Sequence, residues 1–455
     1  MGTPTATAPP GHLPSPYVRP RGEFRDWCGR RYTVGASARE LTGHSRGFLV
    51  GRAALAVAGV GVLQFGYGAA VPVLVAAHGW SLPQALLPLL VWTLFQGGSA
   101  VPIARLRGRG VLRPDRAVTA GALLCAAALL ALGLAQRPEW AVAGYGVLGG
   151  IGAGLVYHSC VHLASVWYPE RPATHAGPVS GAFALGSVPA AAGALLLDPS
   201  ALAPACTALA AAVGALGLVC GRHLPQPPPR WWPPRTDPRS WALRGRAEPL
   251  ASFDHSPAQA WRSGALSALH AIVALAGAAA LLDLAVLPAF LLHFSHSPPA
   301  VAAVMAVLVA ASGLGRIAAG RWSARAGRRR ILVGVLLAGA VAQFGLLAAG
   351  SAGSAAALVC FAVPAGVGGG SCYPLTRTLA MDFFGARDST DIRGLVYSAK
   401  GVGGLLGVGG AAALLAAFPA WGYAPAFCAA GVAALAAAVV AARLRRPLPV
   451  RTIPL

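Results

Sequence analysis

The one lysine of this chain, Lys400, is the residue whose type and position most clearly suggest chemistry. The other 35 of the 36 basic residues are arginines, and Lys400 lies in an apolar, glycine-rich stretch, residues 394–407. A cation inside a membrane-spanning helix costs from about 3 to more than 10 kcal/mol. An ammonium is a compact point charge, whereas a guanidinium is a planar fork. We therefore expect Lys400 to belong to a functional site that needs an ammonium group.

Tyrosines and one glutamine in apolar stretches are candidates for the same site. Tyr397 precedes Lys400 by one helical turn and so shares its face. Tyrosine rings can enclose a small anion and their hydroxyls can bind a carboxylate, although ordinary helix packing explains them as well. The remaining candidates of this kind are Tyr157, Tyr373, Gln64 and Tyr67.

Asp283 and two histidines are the other polar groups of note within apolar stretches. Asp283 is the only acid deep in such a stretch, where it suits proton coupling, a gate or a structural role. His158 and His162 share one helix face, but two ligands do not make a metal site. We expect them to line a cavity or to bind a neighbouring helix. With G-x-x-x-x-G-K-[ST] absent as well, we expect no metal, no cofactor and no ATP site.

Composition predicts a membrane protein. Of the 455 residues 56% are hydrophobic and 11% charged, with a mean hydropathy of +0.61, whereas soluble proteins carry about 25% charge. The net charge of +22 does not indicate nucleic-acid binding, because the arginines cluster between apolar segments, as in membrane proteins. The partner implied by this pattern is the lipid bilayer.

The apolar segments predict an all-α fold of twelve transmembrane helices, numbered here as spans 1 to 12. Their expected limits are 47–77, 82–103, 115–136, 139–166, 174–197, 200–221, 265–291, 299–320, 330–350, 354–380, 393–418 and 422–442. The segment before span 1, residues 1–46, is rich in Pro, Arg and Gly and is expected to be a disordered cytoplasmic tail. Residues 444–455 form a second cytoplasmic tail.

Arginine placement predicts the topology. The loops after spans 2, 6 and 8 and both tails are rich in arginine, whereas residues 78–81, 292–298, 351–353 and 419–421 contain no Arg or Lys. Both termini are therefore expected in the cytoplasm, and the chain in the cytoplasmic (inner) membrane. Residues 223–263 are expected to be a cytoplasmic linker, too short for its own core. This linker separates a six-helix N-terminal half, 47–222, from a C-terminal half, 264–443.

An internal repeat supports two pseudo-symmetric halves. Residues 150–171 align with residues 366–387 at an offset of 216, which pairs three glycines, Tyr157 with Tyr373, and Arg171 with Arg387. Span 4 thus corresponds to span 10. Two parallel six-helix halves are typical of transporters that bind their substrate between the halves, near the membrane midplane.

The loop between spans 8 and 9 carries the most specific resemblance. Residues 320–329, Gly-Arg-Trp-Ser-Ala-Arg-Ala-Gly-Arg-Arg, resemble the G-x-x-x-D-R-x-G-R-R loop of the major facilitator superfamily, with Ala324 in place of the acid. Within it, the chain is most similar to the oxalate/formate antiporter family. That likeness lies in the G-x-G-x-G-x-x-Y of span 4, in Trp-Tyr-Pro-Glu-Arg at 167–171, in Gly-Leu-Gly-Arg at 313–316 and in Tyr-Ser-Ala-Lys-Gly at 397–401.

The resemblance implies the major facilitator fold and a site for a small carboxylate. By motif match, Arg316 of span 8 and Lys400 of span 11 would bind the anion, and Arg325 and Arg328 would contribute to gating. The expected span limits place both cations about 8–11 Å from the cytoplasmic helix ends. At that depth snorkelling to the cytoplasmic face remains an alternative, and it is the expected fate of Arg377 in span 10.

The function expected from these features is secondary active transport of a small organic anion by alternating access. We expect the protein to act as a monomer and not to be an enzyme. A proton-coupled exporter of drug-like molecules on the same fold is the first alternative, and it would depend on Asp283 and not on Lys400. A polytopic membrane enzyme and a sensor that does not transport are the others. The loops, mostly arginine and proline, offer no polar catalytic cluster.

Overall fold

The computed structural model describes residues 22–25, 31–234, 236–242, 251, 254–385, 389–419 and 421–447. They fall into two compact units. One consists of Met1–Ser45 with Pro227–Arg244, and the other of Arg46–Gln226 with Gly245–Leu455. Parts of both predicted tails and of the linker lie outside the described residues, namely 1–21, 26–30, 235, 243–250, 252–253 and 448–455.

The larger unit contains twelve helices that are long and apolar enough to cross a membrane, which confirms the predicted fold class within the described part of the chain. Spans 1 to 12 are Arg46–His78, Leu82–Gly108, Pro114–Leu134, Pro138–Trp167, Pro172–Leu196, Pro199–Gly221, Ala265–His293, Pro298–Ala326, Arg328–Ser351, Ala355–Phe384, Asp391–Ala417 and Tyr423–Arg443. Several begin at proline, whose missing N–H costs nothing in a first helical turn. One further short helix, Pro257–Arg262, precedes span 7.

Five spans are composed of shorter helical segments. Span 2 is Leu82–Gly98 and Ala100–Gly108, and span 6 is the 3-10 turn Pro199–Ala201 and Leu202–Gly221. Span 4 is Pro138–Ala141, a π-helix over Val142–Gly149, and Gly150–Trp167. Span 5 is Pro172–Leu185, Val188–Gly193 and the 3-10 turn Ala194–Leu196. Span 11 is Ser389–Gly404, a π-helix over Leu405–Gly409, and Gly410–Ala417. Its π-helix begins just after Lys400, and such segments are frequent at functional sites.

The two six-helix halves meet along three pairs of spans. Span 1 packs on span 7, span 2 on span 11, and span 5 on span 8. Glycines allow these backbones to approach closely. A Cβ atom at Gly97 would lie 2.8 Å from the backbone nitrogen of Gly401, and one at Gly68 would lie 2.0 Å from the carbonyl oxygen of Leu284. The basic loops and the start of span 1 share one end of the bundle, called here the arginine-rich end.

In the smaller unit, parts of the segment that was predicted to be a disordered tail and parts of the predicted linker have regular structure. Strands β1, Gly22–Arg25, and β2, Arg31–Val34, pair antiparallel, and β2 pairs in parallel with β3, Trp231–Trp232. The rings of Tyr32 and Trp232 lie 5.0 Å apart. Short helices Ala38–Thr42 and Pro238–Ala242 follow β2 and β3. Neither segment carries enough apolar surface for a core alone, but together they share their aromatic residues.

Gly68 is the glycine whose substitution is expected to weaken the contact between the halves most directly. Gly68→Ala should lower the free energy of unfolding by about 1–3 kcal/mol, because the added methyl group must displace the Leu284 backbone. The apparent melting temperature of purified protein measures this effect. Gly410→Ala is the matched control, since a Cβ there meets no atom within 4 Å. Equal melting temperatures for the two variants would contradict the close approach at Gly68.

Candidate functional site

Lys400 forms the centre of the site and links the two halves. Its side chain is 1% exposed, and its Nζ donates hydrogen bonds to Oε1 of Gln64 on span 1 and Oε1 of Gln96 on span 2. The lysine belongs to the C-terminal half and both glutamines belong to the N-terminal half. An ammonium with three donors suits such a role, because it can reach two acceptors on different helices.

Aromatic rings surround the ammonium group of Lys400. Its Nζ lies 4.9 Å from the ring centroid of Trp92, 5.7 Å from Phe183, 5.8 Å from Tyr397 and 5.9 Å from Tyr373. Ring faces attract cations within about 6 Å, by about 2 kcal/mol or more where water is excluded. The rings therefore offset part of the cost of burying this charge.

Arg316 lies beside Lys400 and shares two of its rings. Its guanidinium carbon is 5.3 Å from the Tyr373 centroid and 5.8 Å from Phe183. Its Nη1 donates to the carbonyl oxygen and the Oγ of Ser180, at 3.3 and 3.4 Å. The residue is 3% exposed. The ion pairs among the described residues involve neither Arg316 nor Lys400.

Both cations lie farther from the arginine-rich ends of their helices than the sequence analysis predicted. Span 8 continues to Ala326 and span 11 begins near Asp391, so Arg316 and Lys400 are each about 15 Å from the arginine-rich end of their helix. At this depth and burial, neither side chain reaches the surface, and the snorkelling alternative does not describe this conformation.

Three tyrosines form a layer over these cations. The ring of Tyr397 lies 5.3 Å from Tyr157 and 5.6 Å from Tyr373. Tyr157 shares a hydrogen bond of 2.7 Å with Ser180 Oγ, and the Tyr397 hydroxyl donates to Gln96 Oε1 at 3.4 Å. We call these three residues, Tyr157, Tyr373 and Tyr397, the tyrosine layer. Through Ser180 and Gln96 the layer is hydrogen bonded to a partner of Arg316 and to a partner of Lys400.

A cavity of about 830 Å³, open space at its mouth included, lies on the other side of the tyrosine layer. Pro172 and Met381, close to the arginine-rich ends of spans 5 and 10, line it, and so do all three tyrosines. Lys400 and Arg316 are not among its lining residues. In this conformation the cavity therefore reaches the tyrosine layer from the arginine-rich end, and the two cations lie behind the layer.

Histidine and arginine residues from both halves line the same cavity. His158 and His162 do so, and His158 Nε2 also lies 3.4 Å from the Gln96 carbonyl oxygen. Arg377 was expected to snorkel. Instead it lines the cavity and donates to Ser165 Oγ at 3.1 Å. Across the described residues, no group of three or more His, Cys, Asp or Glu could hold a metal ion.

Two of the remaining predicted residues have clear positions apart from the two cations. The Tyr67 hydroxyl donates to the Ala85 carbonyl oxygen at 2.7 Å, and its ring packs 4.7 Å from Tyr145. Asp283 accepts a hydrogen bond of 2.7 Å from Gln343 Nε2 and lines a smaller cavity of about 250 Å³ between helices of the C-terminal half. Neither Tyr67 nor Asp283 lines the larger cavity.

The two predicted gating arginines lie at the arginine-rich end of the C-terminal half, Arg325 in span 8 and Arg328 at the start of span 9. Arg325 is exposed. Arg328 pairs with Asp382 and donates to the Thr378 carbonyl oxygen at 3.1 Å, both on span 10 of its own half. A contact between the halves comes instead from Arg105, which lies 3.6 Å from Asp391 at the start of span 11.

Sequence analysis missed several residues that complete the site. Gln96 accepts from both Lys400 and Tyr397, Ser180 binds Arg316 and Tyr157, and Phe183 and Trp92 supply ring faces. A signal for Gln96 was available, because an amide within an apolar span needs a polar partner. Serine and aromatic residues occur too widely in apolar helices to give such a signal.

A double-mutant cycle measures the bond that links the halves. Gln64→Leu should lower stability by about 1–3 kcal/mol in the wild-type background, because it removes an acceptor from a buried ammonium. The same change should cost much less in the Lys400→Met background, where no ammonium remains. Apparent melting temperatures of the four proteins give the coupling. A Gln64→Leu effect of equal size in both backgrounds would show that Gln64 does not stabilise Lys400.

Comparison with known proteins gives a family match. The sequence profile of the Major Facilitator Superfamily matches residues 53–408 and 284–454, which together cover both halves. No curated protein matches the chain.

Proposed function

Because the chain belongs to the Major Facilitator Superfamily, we propose that this transporter carries a small organic anion, a carboxylate, between its two halves. Lys400 and Arg316 bind the anion behind the tyrosine layer. Transport proceeds by alternating access and is driven by a solute gradient. The resemblance to the oxalate/formate antiporter family favours exchange of one anion for another.

The observation that carries this proposal is an excess of hydrogen-bond donors around the two cations. Three buried donor groups have no acceptor among the described residues, namely Arg316 Nε, Gln96 Nε2 and the Tyr373 hydroxyl. All three belong to the cluster that surrounds the Lys400 ammonium and the Arg316 guanidinium. A carboxylate supplies two acceptor oxygens and the negative charge that these groups lack.

The contacts of Lys400 suggest how binding is coupled to movement of the halves. In this conformation the ammonium bonds Gln64 and Gln96 of the opposite half. An anion at Lys400 would compete with these amide oxygens, because a charged acceptor binds an ammonium more strongly than a neutral one. Binding would thereby weaken one bond between the halves and allow them to rearrange about the anion.

Membrane topology is part of the same proposal. The protein lies in the cytoplasmic (inner) membrane. Its arginine-rich end faces the cytoplasm, since clusters of arginine stay on the cytoplasmic side. The larger cavity is then open toward the cytoplasm. The protein acts as a monomer, since the residues that surround the two cations come from both halves of one chain.

Counterflow in proteoliposomes tests the proposed function. Vesicles loaded with unlabelled formate, oxalate, malonate or succinate should take up the matching labelled anion. Lys400→Gln and Arg316→Gln should each lower this uptake at least tenfold, because each removes a positive charge from the site. Arg109→Gln is the matched control, since Arg109 is exposed at the same end of the bundle. The proposal is wrong if no anion of the panel is taken up, or if uptake survives in Lys400→Gln.

Asp283 supports a second candidate, the proton-coupled exporter of drug-like molecules. One oxygen of this buried carboxylate has no hydrogen-bond partner among the described residues, and an intramembrane acid of this kind can carry a proton. Asp283→Asn should leave carboxylate counterflow within about twofold of wild type, because Asp283 lies outside the larger cavity. Loss of proton-driven export of a cationic dye in Asp283→Asn, with export intact in Lys400→Gln, would favour the exporter instead.

A further inference from the structure

A second cluster of positive charge lines the cavity outside the tyrosine layer. Arg107 of span 2, Arg377 of span 10 and Arg393 of span 11 line it together with His158 and His162. No aspartate or glutamate is among the described lining residues. Asp391 is close by and forms an ion pair with Arg105. The three arginines are called here the vestibule arginines, and Arg107 and Arg377 take part in none of the ion pairs found among the described residues.

The hydrogen-bond acceptors of Arg107 and Arg377 among the described residues are neutral. Arg107 donates to the His158 carbonyl oxygen at 3.3 Å, and Arg377 to Ser165 Oγ and the Val161 carbonyl oxygen. Arg393 lines the same cavity, and its Nη1 lies 3.6 Å from the sulfur of Met381. The Nδ1 atom of His162 is buried and has no hydrogen-bond partner in the described part of the chain. A guanidinium has five N–H donors, so Arg107 and Arg377 retain several for a ligand.

These charges come from both halves, so their repulsion affects how easily the arginine-rich end closes. Arg107 belongs to the N-terminal half, whereas Arg377 and Arg393 belong to the C-terminal half, and all three lie within electrostatic reach of one another. Closing the arginine-rich end would bring like charges together in a space with little water, where their repulsion is strong. An anion between the halves would offset that repulsion.

We propose that Arg107, Arg377 and Arg393 form a second binding site for a small carboxylate, in the vestibule between the arginine-rich end and the tyrosine layer. This inference rests on the proposed function, because it assigns the same class of anion to the vestibule. The anion binds first to the vestibule arginines, passes the tyrosine layer to Lys400 and Arg316, and is replaced by another. The vestibule anion also lowers the cost of closing this end.

Equilibrium binding distinguishes one site from two. Labelled oxalate, malonate and succinate are titrated against four purified proteins at constant ionic strength. These are the wild type, Lys400→Gln, a double variant called here the vestibule pair (Arg377→Gln with Arg393→Gln), and Arg109→Gln. Two bound anions per protein are expected in wild type and in the Arg109→Gln control. One is expected in Lys400→Gln, where the vestibule remains, and one in the vestibule pair, where the central site remains.

The outcomes separate failure of this inference from failure of the proposed function. One bound anion in wild type, lost in Lys400→Gln and kept in the vestibule pair, overturns the vestibule site and leaves the proposed function standing. No binding and no counterflow of any of the three anions overturns both. If the double variant does not fold, Arg377→Gln alone is titrated, and two anions bound with unchanged affinity then overturn the vestibule site. A drop in vestibule affinity of at least tenfold supports it.

Discussion

The burial of one ammonium group between the two halves is the constraint on which the rest of the site depends. A lysine placed about 15 Å into a membrane-spanning helix is unstable unless neutral groups replace its water. Gln64 and Gln96 supply oxygen atoms. Ring faces come from Trp92, Phe183, Tyr373 and Tyr397. Every one of these groups must stay within a few ångströms of Nζ, which fixes how spans 1, 2, 5, 10 and 11 pack.

The same requirement explains the close packing of glycines around the site. Gly97 follows Gln96 and Gly401 follows Lys400, and their backbones nearly touch. A side chain at Gly97 would hold spans 2 and 11 apart and lengthen the bond from Lys400 to Gln96, whereas a Cβ atom at Gly401 would make an ordinary contact of 3.4 Å with Leu94. Small residues here serve the polar contact as much as helix packing, because in a bilayer the hydrophobic effect does not drive helices together.

Hydropathy predicted the twelve spans well, because a bilayer imposes one length scale on every helix that crosses it. It placed Arg316 and Lys400 too close to the ends of their helices, because hydropathy marks where apolar residues stop and not where a helix ends. Span 8 continues through the exposed residues Arg321 and Arg325 to Ala326. The partners of Lys400 were only partly predicted, since a single sequence does not reveal which helix faces meet. Gln64 was found through its polarity, whereas Gln96 was not. The sheet of the smaller unit was missed because a two-residue strand has no periodicity to detect.

That small sheet orders the events of biosynthesis. Strand β2 precedes span 1 and strand β3 follows span 6, yet the two are hydrogen bonded, with Thr33 opposite Trp231 and Val34 opposite Trp232. While the chain emerges from the ribosome, the hairpin of β1 and β2 must wait until six helices have been made and the linker has left the exit tunnel. Completion of the sheet joins the two ends of the first half, and no residue of the second half takes part in this pairing. The sheet can therefore form as soon as the linker is free.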